Sequence, residues 1–467
     1  MSIRILGCYL YVALFGWYAR RAWFISACAA ITLMAVIQHP DMPKNVFGIQ
    51  GFNPWNLLFL PVLFCWWVTR RHLGWRWEMP GYVTALLLAY LLVVLVSVAR
   101  LLVNPAGWDG EPFSIVFSEY VINCIKWVLP GLLLFDGCRD RRRARFAVAA
   151  ILAVYFLLAV QVIRWVPLGA GAGKAARYIQ NEIGYNRVTL SMMLSGASYA
   201  VLCTVLLFPK WKHKLLILAA AAAVVWAQAA TGGRSGYASW LAVGFILCLV
   251  RWRKFLPIIP IALLGIVALV PGVKERVMQG FSVATGPILE ANDEYEMTSG
   301  RNLAWPAVIE QIKKGPVLGF GRDAMSTTGV QQWLLDEHGE SFPHPHQGYL
   351  ELLLDTGVVG FVLIMPFYFV VLFHALRLLR DREDPLVCVV GCICCSLVLA
   401  LMTAAFGGQT FYPREGAVGM WAAIGVMFRF SVERARQPHG LLFIEDEEPA
   451  DAEDFAEAGG ATMAGWA

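Results

Sequence analysis

Leu386-Val-Cys-Val-Val-Gly-Cys-Ile-Cys-Cys-Ser-Leu-Val-Leu-Ala-Leu-Met-Thr-Ala-Ala405 runs for twenty residues without a charge. At about 1.5 Å per residue, a helix of this length crosses the roughly 30 Å hydrocarbon core of a bilayer. Cys388, Cys392, Cys394 and Cys395 would suggest a metal site in a polar loop. Among Val387, Val389, Val390, Ile393 and Leu397 they read instead as small apolar packing residues. Cys8, Cys28, Cys65, Cys124, Cys203 and Cys248 also lie in apolar segments, and Cys138 just past one. The polar connections contain no cysteine, so no structural disulfide is expected.

The same kind of run recurs along the chain. With 467 residues, 58% of them hydrophobic and only 15% charged, the composition lies outside the soluble range. Spanning segments are expected near 22–38, 54–69, 82–99, 116–135, 146–166, 188–208, 215–230, 236–250, 255–272, 348–377, 386–405 and 414–431, about twelve in all. Basic clusters test that reading independently. Arg20-Arg21, Arg70-Arg71, Arg139 to Arg145, Lys210 to Lys214, Arg251 to Lys254, Arg377 to Arg382 and Arg429 to Arg436 fall at every second connection, as the positive-inside rule requires. The net charge of +5 is explained by these clusters and leaves no nucleic-acid footprint.

The chain therefore reads as an all-α polytopic membrane protein with its spanning set cytoplasmic at both ends. Residues 1–272 hold about nine spans plus an ambiguous segment 1–19, in which Ile5 to Tyr18 is apolar but short. No clear small-residue cleavage site follows it, so removal as a signal peptide is not expected. Residues 273–347 form the one outward connection large enough to fold, 348–431 hold three more spans, and 432–467 form a cytoplasmic acidic tail. That tail, with Glu445-Asp446-Glu447-Glu448, has the composition of a disordered segment. Within 273–347 a helix is expected near 301–313, with Leu303, Val308 and Ile312 inward and Gly315-Pro316 ending it.

Thr231-Gly232-Gly233-Arg234-Ser235-Gly236 separates two short apolar runs that would otherwise merge. An arginine at that depth costs about 2.5–3.5 kcal/mol on insertion scales unless it meets water, an anion or a partner. The glycines let the backbone unwind and turn N–H groups toward a cavity, so this is either an anion site or a tight turn with a snorkelling arginine. Arg301 opens the loop helix, where the helix dipole adds to its charge. Arg187 stands before another span on the same face. Each alone resembles an ordinary solvated or interfacial arginine; three on one face point to a diphosphate or another anion.

His344-Pro-His346 closes the longest polar stretch where it meets a span. Imidazole suits proton transfer near neutral pH, against the plainer reading of an interfacial hydrogen-bonding residue. Glu351 and Asp355, on one helix face, are expected to raise the basicity of His346 and favour a general base. His344 is nearer the plain reading and His338 more so; Tyr349 and Arg322 are secondary candidates.

Glu119 and Lys126 share a face within one span, where a lysine needs a cavity or a partner, structural or functional. Glu290, Asp293, Glu294 and Glu296 match no specific metal loop, so neither metal nor cofactor is expected. Gly169-Ala-Gly-Ala-Gly173-Lys174 fails as a P-loop because Ala175 replaces the required hydroxyl residue. Lys174 and Arg177 remain plausible contacts for anionic lipid headgroups.

In order and spacing these residues resemble the O-antigen ligase and O-antigen polymerase superfamily of bacterial envelope glycosyltransferases. The carrying motifs are Arg234-Ser235-Gly236, then Arg301 with Trp305 and Pro316-Val-Leu-Gly319-Phe-Gly321, then His346-Gln-Gly-Tyr349-Leu350 with Gly357 and Gly360. They cover about 230–362 in residues and nearly the whole chain in topology. One departure is Gln347, where the family commonly has asparagine, an amide for an amide.

What the resemblance implies is a GT-C-like transferase of the inner membrane acting in lipopolysaccharide biosynthesis on the periplasmic face. The donor would be a glycan on undecaprenyl diphosphate. As an O-antigen ligase, the expected reading, it would use a hydroxyl of lipid A–core oligosaccharide as acceptor. A polymerase or a protein O-oligosaccharyltransferase of the same superfamily stays open. Arg234, Arg301 and Arg187 would hold the diphosphate and His346 would act as base in an inverting, metal-independent transfer. From a different class, a lipid or glycan transporter would use Glu119 and Lys126 as a pathway, but such proteins usually show internal repeats, and none is convincing here.

Overall fold

The structure, a computed structural model, describes residues 3–44, 46, 51–104, 112–167, 172–269 and 301–443. The helices are α1 (Ile3–Ile37), α2 (Pro54–His72), α3 (Gly81–Leu102), α4 (Phe113–Phe117), α5 (Asn123–Lys126), α6 (Leu129–Gly137), α7 (Arg141–Trp165), α8 (Ala172–Glu182) and α9 (Arg187–Cys203). There follow α10 (Trp211–Ala230), α11 (Arg234–Val250), α12 (Ile258–Leu269), α13 (Arg301–Lys314), α14 (Ala324–Thr327), α15 (Val330–His338), α16 (Gly348–Leu379), α17 (Pro385–Ala404) and α18 (Val418–Arg436). The acidic quartet Glu290 to Glu296, the start of the glycine-rich 169–174 stretch and the acidic tail lie outside the described residues.

All twelve expected spans coincide with helical segments, but they are unequal. Among the described residues eight helical stretches are long and apolar enough to cross a membrane: 4–37, 81–102, 113–137, 141–165, 187–207, 211–230, 348–379 and 385–407. Helices also stand at the remaining expected positions, α2, α11, α12 and α18; these are shorter or carry more polar side chains.

Two segments depart from a simple rod. Helix α1 breaks at Ala22 (φ −148°, ψ 72°), and its first limb folds back along its second. Ser26 Oγ donates to Phe15 O at 2.7 Å, Tyr11 Oη to Ala29 O at 3.0 Å, and Arg4 Nη1 to His39 Nε2 at 3.0 Å. Residues 3–19 of the ambiguous segment thus form a helical limb of their own, with Arg4 against His39 and Arg20-Arg21 next to the break. The segment expected as one span at 116–135 is interrupted twice, by a π-helical turn over Ser118–Ile122 and by a bend at Trp127–Val128.

Charge pairing confirms that basic clusters distant in sequence share one end. Asp136 accepts from Arg70 at 2.6 Å and Arg139 at 3.2 Å. Glu78 pairs with Arg429, with Arg436 at 2.9 Å and with Arg139 at 3.6 Å. Asp384 takes Arg141 at 2.7 Å, and Asp381 takes Arg434 at 2.8 Å. Burial alone would raise the Glu78 carboxyl, but hydrogen bonds from Arg429 and Arg436 outweigh it and hold it at about 2.

Helix α17 is the centre of the bundle, packed by α9, α11, α16 and α18 and almost wholly enclosed. Its four cysteines therefore fill space between helices, and all eleven cysteines are free thiols. Helices α6 and α18 meet backbone to backbone: a Cβ on Gly425 would lie 1.8 Å from Gly131 O. A carbonyl in a helix cannot move aside. Gly425→Val should therefore lower stability by about 3 kcal/mol or more, read as a fall in the thermal midpoint of the purified protein.

Candidate functional site

The site stands at the end of the bundle opposite the basic clusters, and its frame is a broken helix. In α16, Gly357 adopts φ +64°, ψ −170°, a conformation essentially reserved for glycine. The break exposes backbone groups that the segment 316–321 satisfies. Phe320 N–H donates to Leu354 O at 2.9 Å and Gly321 N–H to Asp355 O at 2.8 Å. In return Val358 N–H donates to Pro316 O at 2.9 Å and Val359 N–H to Val317 O at 3.1 Å. Gly319 and Gly357 touch across this seam, where a Cβ on either would come within 2.6 Å of the other strand. The spacing Pro316-x-x-Gly319-x-Gly321 and Gly357 thus has a mechanical reason: two backbones share one gap.

Arg322 follows directly and turns inward. Its guanidinium meets Glu351 at 2.7 Å and Asp355 at 3.1 Å, and lies 3.7 Å from the centre of the Tyr412 ring. Tyr412 Oη donates to Asp355 Oδ2 at 2.9 Å, and Ala324 N–H to Asp355 Oδ1 at 3.2 Å. Burial opposes the charged form, yet Glu351, Tyr412 and Asp355 raise the Arg322 pKa well above the ordinary value. The expectation that Glu351 and Asp355 serve His346 is therefore corrected. Both lie on one helix face as expected, but a cation from the cap holds them.

A small second core seats the cap on the bundle: Ala304, Val308, Met325, Leu334, Phe342 and Leu354 are buried together. The expected helix over 301–313 is present as α13, turned so that Ala304 rather than Leu303 is fully buried. Trp305 Nε1 donates to Pro345 O at 3.0 Å, pinning the His344-Pro345-His346 turn to that helix.

His346 sits in the left-handed region (φ +52°), a conformation that costs a non-glycine residue about 1–2 kcal/mol. Its ring meets His344 edge to face at 4.3 Å and Phe342 at 5.9 Å, and Gly408 packs beside it. Burial first, then the neighbouring His344 and Arg301, push its pKa down to about 4. The imidazole is consequently neutral at physiological pH. Nδ1 of His344 is buried and has no hydrogen-bond partner among the described residues.

Arg301, at the start of α13, donates from Nη2 to Gly407 O at 3.1 Å, while its buried Nε has no hydrogen-bond partner among the described residues. Burial and the nearby Arg234 lower its pKa, as expected of cations crowded together. Arg234 opens α11 after the 231–233 turn, which is held on α9: Ser191 Oγ donates to Gly233 O at 3.4 Å and Ser195 Oγ to Gly236 O at 2.8 Å. Arg187 begins α9 immediately beside this turn, its carbonyl oxygen 3.8 Å from where a Gly233 Cβ would stand. Ser235 packs on Gly407. Arg234, Arg301, His344 and His346 thus lie about the 405–408 connection, whereas Arg187 adjoins the 231–233 turn through its backbone.

Other candidates stand apart. Tyr349 Oη donates to Met402 O at 2.9 Å and its ring packs on Phe406 and Phe411, which ties α16 to α17. Lys174 and Arg177 are exposed on α8, an amphipathic helix whose Ala175 and Ile179 face the bundle. His338 ends α15 and stacks edge-on to Trp333. Among the described residues, no group of three or more His, Cys, Asp or Glu side chains is placed to hold a metal ion.

By sequence alone 406–413 is only a short outward connection. It supplies Gly407 O to Arg301, Gly408 to His346 and Tyr412 to Arg322 and Asp355. The only available signal was its density of glycine, aromatic and polar residues inside an apolar region.

The chain is thus an all-helical polytopic membrane protein that brings Arg234, Arg301 and a neutral imidazole together at one end of its bundle. Residues 219–365 match the family model described as O-antigen ligase, Wzy_C, and this match contains Arg234, Arg301, His346 and the whole glycine seam. The chain is also similar to an uncharacterized protein of Haemophilus influenzae, 23% identical over 218 residues that make up 44% of this chain and 55% of that protein. It spans about half the length of that curated relative.

The buried ion cluster gives a test of its own. Removing one partner from such a cluster leaves charge uncompensated at a cost of about 3–5 kcal/mol, whereas removing all charges together costs far less. Arg322→Met should accordingly lower the thermal midpoint sharply. Adding Glu351→Gln and Asp355→Asn to that variant should restore much of the loss.

Proposed function

We propose that the protein transfers a glycan from a polyprenyl diphosphate, of the undecaprenyl type, to a hydroxyl on lipid A–core oligosaccharide, as an O-antigen ligase. The observation that carries this reading is the meeting of Arg301 and Arg234 with a neutral His346, three residues from separate motifs in one small space. Residues 219–365 and their family match support the reaction class. The same site chemistry would serve a polymerase, and the acceptor distinguishes the two.

In the proposed reaction the acceptor oxygen attacks the anomeric carbon as the bond to the diphosphate oxygen breaks. The electron pair of that bond goes to the leaving diphosphate. Arg234 and Arg301 stabilise the charge as it develops, with Arg187 as a further contact, because fixed guanidinium groups need no reorganisation. The acceptor's proton passes to His346, and in-line attack inverts the anomeric centre.

A base with a pKa of about 4 is weak, and the charge of Arg301 is one of the causes that depress it. A diphosphate beside Arg301 offsets the cation's field and raises the basicity of His346 when it is required. Donor binding thereby readies the base.

Two measurements test this. In a reconstituted assay with carrier-linked glycan and purified acceptor, His346→Ala should reduce turnover by about 10²–10⁴-fold, the usual contribution of a general base; full turnover would remove His346 from the mechanism. Formation of a new glycosidic bond also separates a transferase from a transporter. In pH profiles, the acid limb of kcat/KM should lie near the free-site value of about 4, and that of kcat should lie higher. Identical limbs would mean that the donor does not touch the base. The depressed pKa also makes stability pH-dependent: the contribution is complete above the ordinary value of 6.5 and is lost as pH falls toward 4.

A further inference from the structure

A second cavity, of about 910 Å³, opens between α2, the 37–56 connection and the interrupted segment 113–129, on the other side of the π-helical turn from Arg322. Its size suits a lipid headgroup with the first part of a chain. Its lining is mixed, with Phe59, Leu60, Leu63 and Ile122 beside Asn123 and Lys126. The ammonium of Lys126 rests 4.1 Å from the Trp127 ring centre and 5.4 Å from that of Trp55. Two rings stabilise one side of a cation but accept none of its three N–H groups as an oxygen would.

Among the described residues no carboxylate comes within ion-pair reach of Lys126, although it belongs to a stretch long and apolar enough to cross a membrane. A cation placed there is retained where it faces a partner or a cavity, and here it faces the cavity. Glu119 and Glu415 also line the cavity, so the lining carries both signs. That combination disfavours a bare inorganic anion and suits a headgroup with its own ammonium beside a phosphate.

We propose that this cavity binds a phosphate-bearing lipid, with the phosphate on Lys126 and the chain along Phe59, Leu60 and Leu63. The π-helical turn joins the two sites: Glu119 enters the cavity, and the next residue, Tyr120, lies 5.7 Å from the Arg322 guanidinium. The lipid is either a bilayer phospholipid or the anchor of the acceptor, which share this chemistry. Only the second source rests on the transferase reading.

The test uses the full chain purified in detergent, incubated with phosphatidylethanolamine or with diacylglycerol of the same chains, and read by native mass spectrometry. Phosphatidylethanolamine should be retained about tenfold more than diacylglycerol, and Lys126→Gln should abolish that preference. Equal retention of the two lipids by the unaltered protein overturns the proposal without recourse to any variant. So does an undiminished preference in Lys126→Gln. In the transfer assay, a rise in acceptor KM with donor KM unchanged in Lys126→Gln assigns the lipid to the acceptor. Unchanged KM values with lost retention assign it to the bilayer. Lipid retention is measured without turnover, so its failure is separable from failure of the transferase reading.

Discussion

The placement of Arg322 between Glu351 and Asp355 is the constraint on which the site depends. A buried guanidinium with two buried carboxylates is tolerable only when the geometry is closed on all sides, and here Tyr412 and the Ala324 N–H close it. The cluster links three elements far apart in the chain: the cap through Arg322, the spanning helix through its two acids, and the 405–417 connection through Tyr412. With those fixed, the glycine seam at 316–321 and 357 can form only in one register. The turn carrying His344 and His346 is then held between Trp305 and Gly408.

From this frame the electrostatics of the site follow. Both acids that could have charged His346 are spent on Arg322, so the imidazole meets only burial, another imidazole and a cation. Asp323, next in the chain, is itself pushed up, first by burial and then by Glu351, despite the adjoining Arg322. The ion cluster around Arg322 is thus closed on itself, apart from the arginines that lie near His346.

Much of this was legible in the chain. The spanning segments followed from run length, and the common side of the basic clusters followed from their alternation. The order Arg234, Arg301, His346 picked out three residues that do come together. Other features were misread for physical reasons. A same-face argument places Glu351 and Asp355 correctly on α16 but cannot say what faces them, because Arg322 reaches them from a different element. Apolar length told nothing of the fold-back at Ala22, since both limbs are equally hydrophobic. The 405–417 connection looked like a plain turn because its importance lies wholly in contacts made by backbone oxygens and close approaches.

Hydropathy and charge are properties of neighbouring residues, so the chain by itself determined where its apolar segments lie and where its positive charge clusters. It also marked the break at 232–236, where the glycines act locally. Which cations share a pocket, which acids are neutralised and which imidazole stays uncharged were decided only by tertiary packing. Those outcomes depend on distances between side chains tens of residues apart in the chain, and only the closing of the cap on the bundle sets them.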